Sequence, residues 1–265
     1  MHPNTYLQAL WRSETKPQVF VAMSFEQRFS RRFEDVIKPS IEAELLDGQK
    51  LAAYRVDNSL TGDSILTDIV DGIAHSALFL ADVSVIDEGR FAELPIRNGN
   101  VMYEVGLALA CRLPSEVLLI RDDRKKFLFD VSTIPHITID FSDNELAIKT
   151  LRAALLDRLT ESRKLFDARV MIALKGFTPY ELEILEYLSK LAPNEAADYS
   201  VAISGANQLN IPTERAISAL LLKGCIEASM RSENGAIYYA ATHFGRKVAK
   251  AAITNLPKLK TSQQA

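Results

Sequence analysis

The run Val19-Phe20-Val21-Ala22-Met23 has no polar side chain on either face, and Ala77-Leu78-Phe79-Leu80-Ala81 and Val117-Leu118-Leu119-Ile120 share that property. Strands of this kind must be covered on both sides, which places them inside a parallel sheet. Stretches with helical spacing lie between them. Residues 26–44 put Phe29, Phe33, Val36, Ile37 and Ile41 on one side, and residues 61–76 space Ile65, Ile69 and Ile73 four apart. Residues 51–56 and 137–139 read as two further strands. Such alternation means right-handed crossovers, so the sequence predicts an α/β fold: an open parallel sheet, flavodoxin-like, of about five strands. Ligands bind beyond the carboxyl ends of such strands, where the chain order reverses. Met23, Ser24 and Phe25 after the first strand, and Asp82, Val83 and Ser84 after the third, are therefore candidates for the crevice. Ser24 is expected to cap the helix that follows.

Residues 144–174 read as one long helix, the last of the first domain running into a connector. A second unit starts at Phe177. Thr178-Pro179 with Glu181 has the form of a capping box with proline at the first helical position. A helix led by Ile211-Pro212-Thr213 and ending at Lys223-Gly224 follows. Residues 225–230 and 237–241 then flank Ser232-Glu233-Asn234-Gly235, where Asn-Gly signals a hairpin. A last helix covers 244–253. Three helices and a β-hairpin resemble a winged helix-turn-helix domain, a second, smaller α+β domain. The expected organisation is an extension at 1–16, an α/β domain at 17–160, a helical connector at 161–176, a winged-helix-like domain at 177–256 and a tail at 257–265.

The stretch most suggestive of chemistry is Asn98-Gly99-Asn100-Val101-Met102-Tyr103-Glu104-Val105-Gly106-Leu107-Ala108-Leu109-Ala110. Asn100 is expected to cap a helix that buries Val101, Val105, Ala108 and Leu109. Glu104 would fall in or just after the first turn, where the positive end of the helix dipole favours the carboxylate. Gly106 and Ala108 would let the helix press against the sheet or a ligand. An acid early in a capped helix is also an ordinary helix-start feature, and spacing alone does not separate the two readings.

The series Val21-Ala22-Met23-Ser24-Phe25, Ala81-Asp82-Val83-Ser84 and Asn100-Val101-Met102-Tyr103-Glu104-Val105-Gly106-Leu107-Ala108 resembles the nucleoside 2-deoxyribosyltransferase-like group. That group is akin to TIR (Toll/interleukin-1 receptor) domains, including bacterial TIR-like proteins of antiviral defence. The resemblance spans about residues 18–141, and Asn-x-x-x-Glu-x-Gly-x-Ala is its most specific part. It implies that Glu104 attacks or steadies the anomeric carbon of an N-riboside and that Asp82 helps to bind the sugar, the alternative for Asp82 being a cap on the turn that follows, with Asn100, Tyr103, Ser24, Met23 and Phe25 as further substrate-binding candidates. The implied activity is cleavage or transfer of the C–N glycosidic bond of a nucleoside, nucleotide or NAD-like molecule, without cofactor or metal, in an antiviral-defence effector. A fixed carboxylate suits that chemistry, because oxocarbenium character at the sugar carbon is stabilised or trapped by it.

Residues 85–99, which include Asp87, Glu88, Arg90, Glu93, Pro95 and Arg97, depart from the compact family pattern. They form a lid, a surface loop or an oligomer contact. Arg28, Arg31 and Arg32 after the first strand either attend a phosphate or form a solvated basic face. Phe127-Leu128-Phe129-Asp130 resembles a segment near the pocket of the same group. Asp57, Asn58 and Asp63 either border the site or cap the next helix.

Composition narrows the field. The net charge is −3, from 31 basic and 34 acidic residues, so no global field points to nucleic acid or an anionic membrane. His2, His75, His136 and His243 lack metal-ligand spacing. Cys111 and Cys225 are expected to be separate reduced thiols. There is no Walker loop, no dinucleotide Gly-x-Gly-x-x-Gly and no His-Glu-x-x-His. Without a signal-peptide core or a membrane span, a cytoplasmic protein with no membrane partner is expected. From Phe177 onward the chain has nine Lys/Arg against eight Asp/Glu, a balance of +1. The candidate recognition helix offers Thr213, Glu214, Arg215, Ser218 and Lys223, a weak basis for DNA binding. A protein-contact or homo-oligomerising role is the stronger reading of that domain. The alternatives to an enzyme are a non-catalytic nucleotide-signal sensor relaying through the winged helix and a DNA-binding regulator.

Overall fold

The computed structural model describes residues 15–46, 48–56, 62–87, 95–125, 134–192, 195–198, 211–230 and 237–261. The chain divides into two compact units, 1–163 and 164–265.

In the first unit, β1 (Lys16–Ala22), β2 (Ala52–Tyr54), β3 (Ser76–Asp82), β4 (Val117–Arg121) and β5 (His136–Thr138) form one sheet in the order β2-β1-β3-β4-β5. Every neighbouring pair is parallel. This is the open, flavodoxin-like sheet implied by the apolar runs, and its order reverses between β1 and β3.

The period of two along each strand sorts the apolar residues onto two faces. Val19, Val21, Leu78, Leu80, Leu118 and Ile120 share one core with Phe29, Phe33, Val36, Ile37 and Ile41. Phe20, Ala22, Phe79, Ala81, Val117 and Leu119 share the other with Ile73, Val101, Val105 and Ala108. The first face is covered by α1 (Gln27–Arg32), a π-helical turn (Phe33–Ile37) and α2 (Lys38–Glu42), together with the beginning of the long α5 (Asn144–Lys175). The second is covered by α3 (Gly62–His75) and α4 (Gly99–Cys111). Fully burying each Leu, Ile or Phe stabilises by about 1.5–3 kcal/mol, so both faces must be covered for the sheet to persist.

Two local expectations are corrected. Ser24 does not cap the helix: Glu26 occupies the cap position without a side-chain hydrogen bond, and Ser24 Oγ accepts from the Glu26 N–H at 3.3 Å. The helix expected over 26–44 is interrupted by the π turn, which still buries Phe33, Val36 and Ile37. At the ends of the 85–99 segment, Val85–Asp87 pairs antiparallel with Ile96–Arg97. Residues 57, 58, 88–94 and 127–130 lie outside the described residues, as does the Asp63 side chain.

In the second unit, α6 (Pro179–Lys190) is followed by β6 (Ala197–Asp198), α7 (Ile211–Leu222), β7 (Ile226–Met230), β8 (Ile237–Ala241) and α8 (His243–Thr261). The strands form an antiparallel sheet in the order β6-β8-β7. This is a small α+β unit with the winged-helix order of helices and hairpin; β6 was not anticipated, being only two residues long. The turn 232–235 lies outside the described residues. Thr178 caps α6, with its Oγ1 accepting from the Glu181 N–H at 3.3 Å while the Thr178 N–H donates to Glu181 Oε2 at 2.6 Å. Ile184, Leu185, Leu188, Ile217, Leu220 and Val248 form the centre of its core. Among the described residues, no helix is long and apolar enough to cross a membrane.

Gly245 at the start of α8 lies against the Cys225 carbonyl: a Cβ built there would fall 1.9 Å from that oxygen. Gly106 of α4 has nothing within 4 Å of a built Cβ among the described residues, so it does not press against the sheet, whereas Ala108 is fully buried. Chemical denaturation is expected to show Gly245→Ala destabilising the second unit by about 3 kcal/mol or more, through overpacking against backbone. Gly106→Ala is expected to leave the first unit unchanged or stabilise it by about 0.5–1 kcal/mol, from helix propensity.

Candidate functional site

The carboxyl ends of β1 and β3 flank the reversal of chain order, and Ala22 lies opposite Ala81 in their ladder. Met23, Ser24 and Asp82, which immediately follow or end these strands, are all buried. Phe25 turns outward, with the Arg55 guanidinium 5.1 Å from its ring centroid.

The helix bearing Glu104 starts at the same edge. Asn98, not Asn100, is its cap: Asn98 Oδ1 accepts from the N–H groups of Asn100 at 3.0 Å and Val101 at 3.2 Å. The two asparagines are equivalent as sequence signals, and Gly99 between them allows either start. Capping by Asn98 makes Asn100 an exposed second helical residue and moves Glu104 into the second turn. Tyr103 is exposed. Because Val101, Val105 and Ala108 face the sheet, Glu104 lies at the border of the buried side and is half-buried.

The expected permanent charge on Glu104 is also corrected. Burial pushes its pKa up from 4.5 to about 7, and Glu104 has no hydrogen-bond or ion-pair partner among the described residues. The helix dipole acts mainly within the first turn, so at the sixth helical position desolvation is uncompensated.

Asp82 is committed differently. Its side chain has no exposed surface. Oδ1 accepts from the N–H and hydroxyl of Ser84, and Oδ2 from Arg32 Nη1 at 3.3 Å. Burial raises the Asp82 pKa even though Ser84 and Arg32 pull it down. The Ser84 hydroxyl also accepts from Arg32 Nη1 at 3.2 Å and from the Asp122 N–H at 3.0 Å. Arg32 Nη2 donates to Asp122 Oδ2, and the guanidinium lies between the rings of Phe29 and Phe141, 4.8 and 4.5 Å from their centroids. With both oxygens engaged and no exposed surface, Asp82 is not available to sugar hydroxyls in this state; its role here is to position Ser84 and Arg32.

A second clasp lies beside it. Arg97 donates from Nη1 and Nη2 to the two oxygens of Asp123, at 3.1 and 3.0 Å, and from Nη1 to the Val83 carbonyl. Asp123 also accepts from the Val85 N–H at 3.2 Å. Burial alone would raise the Asp123 pKa, but the hydrogen bonds and charge of Arg97, with the backbone donors, hold it below the usual carboxylate range. Sequence reading missed Asp122 and Asp123. The available signal was their position directly after an apolar strand, at the edge where ligands bind.

A cavity of about 930 Å³ opens on the far side of Arg32 and is lined in part by Arg28, Arg31, Arg32, Asp35, Arg124 and Asp140. Neither Glu104 nor Asp82 lines it. Cys111 and Cys225 are free thiols, each pushed up to about 11 by burial, which suppresses thiolate formation.

No protein-family model matches the chain, and no curated protein matches it. Solved structures with distant similarity include the following three. A CMP N-glycosidase from Clostridium botulinum, BcmB, is 18% identical, with 51% of this chain and 96% of that one covered at a TM-score of 0.34. A 2-desoxiribosyltransferase from Leishmania mexicana is 16% identical, with 51% and 97% covered at a TM-score of 0.33. MepR from S. aureus, in a DNA complex, is 13% identical, with 42% and 88% covered at a TM-score of 0.30. Similarity at this level carries no argument about what the chain does.

The raised Glu104 pKa has a stability consequence with a definite sign. The folded state binds the proton more tightly than the unfolded one, so stability from this group falls as pH rises from about 4.5 to about 7 and then levels off. Glu104→Gln is expected to remove that slope and to be more stable than the parent at pH 8, by on the order of 2 kcal/mol. Paired denaturation curves at pH 5 and pH 8 measure the difference.

Proposed function

We propose that the first unit cleaves or transfers the C–N glycosidic bond of a nucleoside, nucleotide or NAD-like molecule, with Glu104 as the group that meets the anomeric carbon. One observation carries this reading: Glu104 is a half-buried carboxyl without a partner among the described residues, poised near neutrality, on the helix that follows the reversal of strand order. The resemblance of Asn100-Val101-Met102-Tyr103-Glu104-Val105-Gly106-Leu107-Ala108 to the deoxyribosyltransferase-like motif supports it, and extends it to a bacterial defence effector.

In the reaction, the Glu104 carboxylate adds to or stabilises the sugar carbon as the C–N bond breaks. The departing base keeps the bonding pair and takes a proton from water. Water or a second base then attacks the same carbon and returns the carboxylate. Met23, Ser24 and Phe25 flank the substrate from the end of β1, and Asn100 and Tyr103 from α4. Asp82 contributes by fixing Ser84 and Arg32 at the end of β3.

The carboxylate is the reactive form, so kcat/KM is expected to rise about tenfold per pH unit below about 7 and to plateau above it. Purified protein incubated with a nucleoside, a nucleoside monophosphate and NAD, followed by chromatography of free base, tests the reading. Glu104→Gln is expected to release base at least about a hundredfold more slowly. Release at the parental rate by that variant, or no release from any of the three, counts against it.

A second reading, a non-catalytic nucleotide sensor, is favoured by the internal commitment of Asp82. Calorimetry that finds tight nucleotide binding without turnover would select it. For the second unit, Leu222 at the end of α7 is 90% exposed, and Leu221 is also exposed. This supports contact with protein rather than with phosphates.

A further inference from the structure

Arg28, Arg31 and Arg32 of α1 lie three and four residues apart and share a face, and Asp35, in the π-helical turn that follows, lines the same cavity. The opposite side, with Phe29, Phe33 and Val36, is buried under the sheet. The charged side forms one wall of the cavity of about 930 Å³, and the segments after β4 and β5 form the other, with Asp122, Arg124, Asp140 and Phe141.

These charges are not equally committed. Arg32 is held by Asp82, Ser84 and Asp122. Arg28 donates to the carbonyls of Val85 and Ile86 at 2.8 and 3.0 Å. Arg31 and Arg124, on opposite walls, have no hydrogen-bond or ion-pair partner among the described residues, and neither does Asp35. Asp140 accepts from Ser142 through Oδ1 and is exposed, so its second oxygen is available. The cavity therefore offers two unspent guanidinium forks, which match phosphate oxygens, and two carboxylates that accept from hydroxyls. Its volume falls within the range of small-molecule sites. An inorganic anion engages only the guanidinium groups and is repelled by the two carboxylates, whereas a phosphorylated sugar engages both sets.

We infer that this cavity is a binding site for a ribose phosphate, free or carried within a nucleotide, separate from the Glu104 site: Arg31 and Arg124 take the phosphoryl group, and Asp35 and Asp140 accept from the sugar hydroxyls. This goes beyond the proposed glycosidic chemistry and does not depend on it. Arg32 is shared between the cavity wall and the end of β3, so the occupant sits one side chain from Asp82.

Calorimetry on the full chain at low salt, with ribose 5-phosphate, AMP and inorganic phosphate as separate probes, tests the site. Ribose 5-phosphate or AMP is expected to bind at least tenfold more tightly than inorganic phosphate. If ribose 5-phosphate binds as tightly as AMP, the free sugar phosphate suffices; tighter AMP binding assigns the site to nucleotides. Arg31→Ala and Arg124→Ala are each expected to weaken binding at least tenfold, and Asp140→Asn to shrink the preference over inorganic phosphate. Because Arg31 and Arg124 are exposed and unpaired among the described residues, these variants are expected to retain the parental melting temperature without ligand. Absence of binding by both sugar phosphates at 1 mM, or undiminished binding by the Arg31→Ala/Arg124→Ala double variant, overturns the site. Binding lost in Glu104→Gln but kept in the arginine variants also overturns it, while leaving the glycosidic reading standing.

Discussion

The Arg32 guanidinium is the point at which the ligand-facing edge of the first unit is tied together. It joins α1 to the end of β3 through Asp82 and Ser84, and to the segment after β4 through Asp122. Two phenyl rings enclose it, so these bonds form in a partly desolvated setting where they are stronger than in water. The Arg97–Asp123 pair repeats the arrangement one residue further along each strand end and anchors the base of the 85–99 segment. Removing one partner from a buried pair of this kind typically costs about 3–5 kcal/mol, because the other is left charged and unpaired. The parallel sheet thus ends in a charged rim, and the candidate sites lie on either side of it.

Glu104 stands apart from that rim. Every other buried or half-buried carboxylate described at this edge has a guanidinium or backbone donor, whereas Glu104 has neither. The consequence is a proton shared nearly evenly between bound and free states at neutral pH, instead of the fixed negative charge that a helix start would provide. A nucleophile gains from this, since a carboxylate that is poorly solvated in the free protein is stabilised when positive charge develops beside it. The same desolvation destabilises the empty fold. Strain of this kind is characteristic of sites that bind or react.

The second unit uses buried polar groups for architecture. Glu181 is buried; one oxygen closes the capping box at the start of α6 and the other accepts from Lys223 Nζ at 2.8 Å. Arg246 donates to the carbonyls of Ser189 and Leu191 at the far end of the same helix, at 2.9 and 2.6 Å. The start of α6 is therefore satisfied locally by Thr178 and Glu181, with Lys223 holding Glu181 in place, and its end by Arg246 from later in the chain.

The sheet, its parallel sense and its strand order class were legible from local pattern, because a run apolar on both faces has few other places to go. The capping box at Thr178 was legible for a similar reason: its partners are three residues apart. Ser24 and Asn100 were misassigned as caps because a polar residue before a helix identifies the neighbourhood of the start but not the residue, and the Asn98-Gly99-Asn100 series permits two. What the sequence alone determined was the set of elements, their burial and the presence of Glu104 near the start of its helix. Only tertiary structure decided that Asp82 is spent on Ser84 and Arg32, that Glu104 has no partner among the described residues, and that Arg31 and Arg124 face one cavity. Ser84 is two residues from Asp82, but Arg32 is 50 residues from it, and Arg31 and Arg124 are 93 residues apart. Charge states and partnerships follow from distance and desolvation in space, which neither residue type nor spacing encodes.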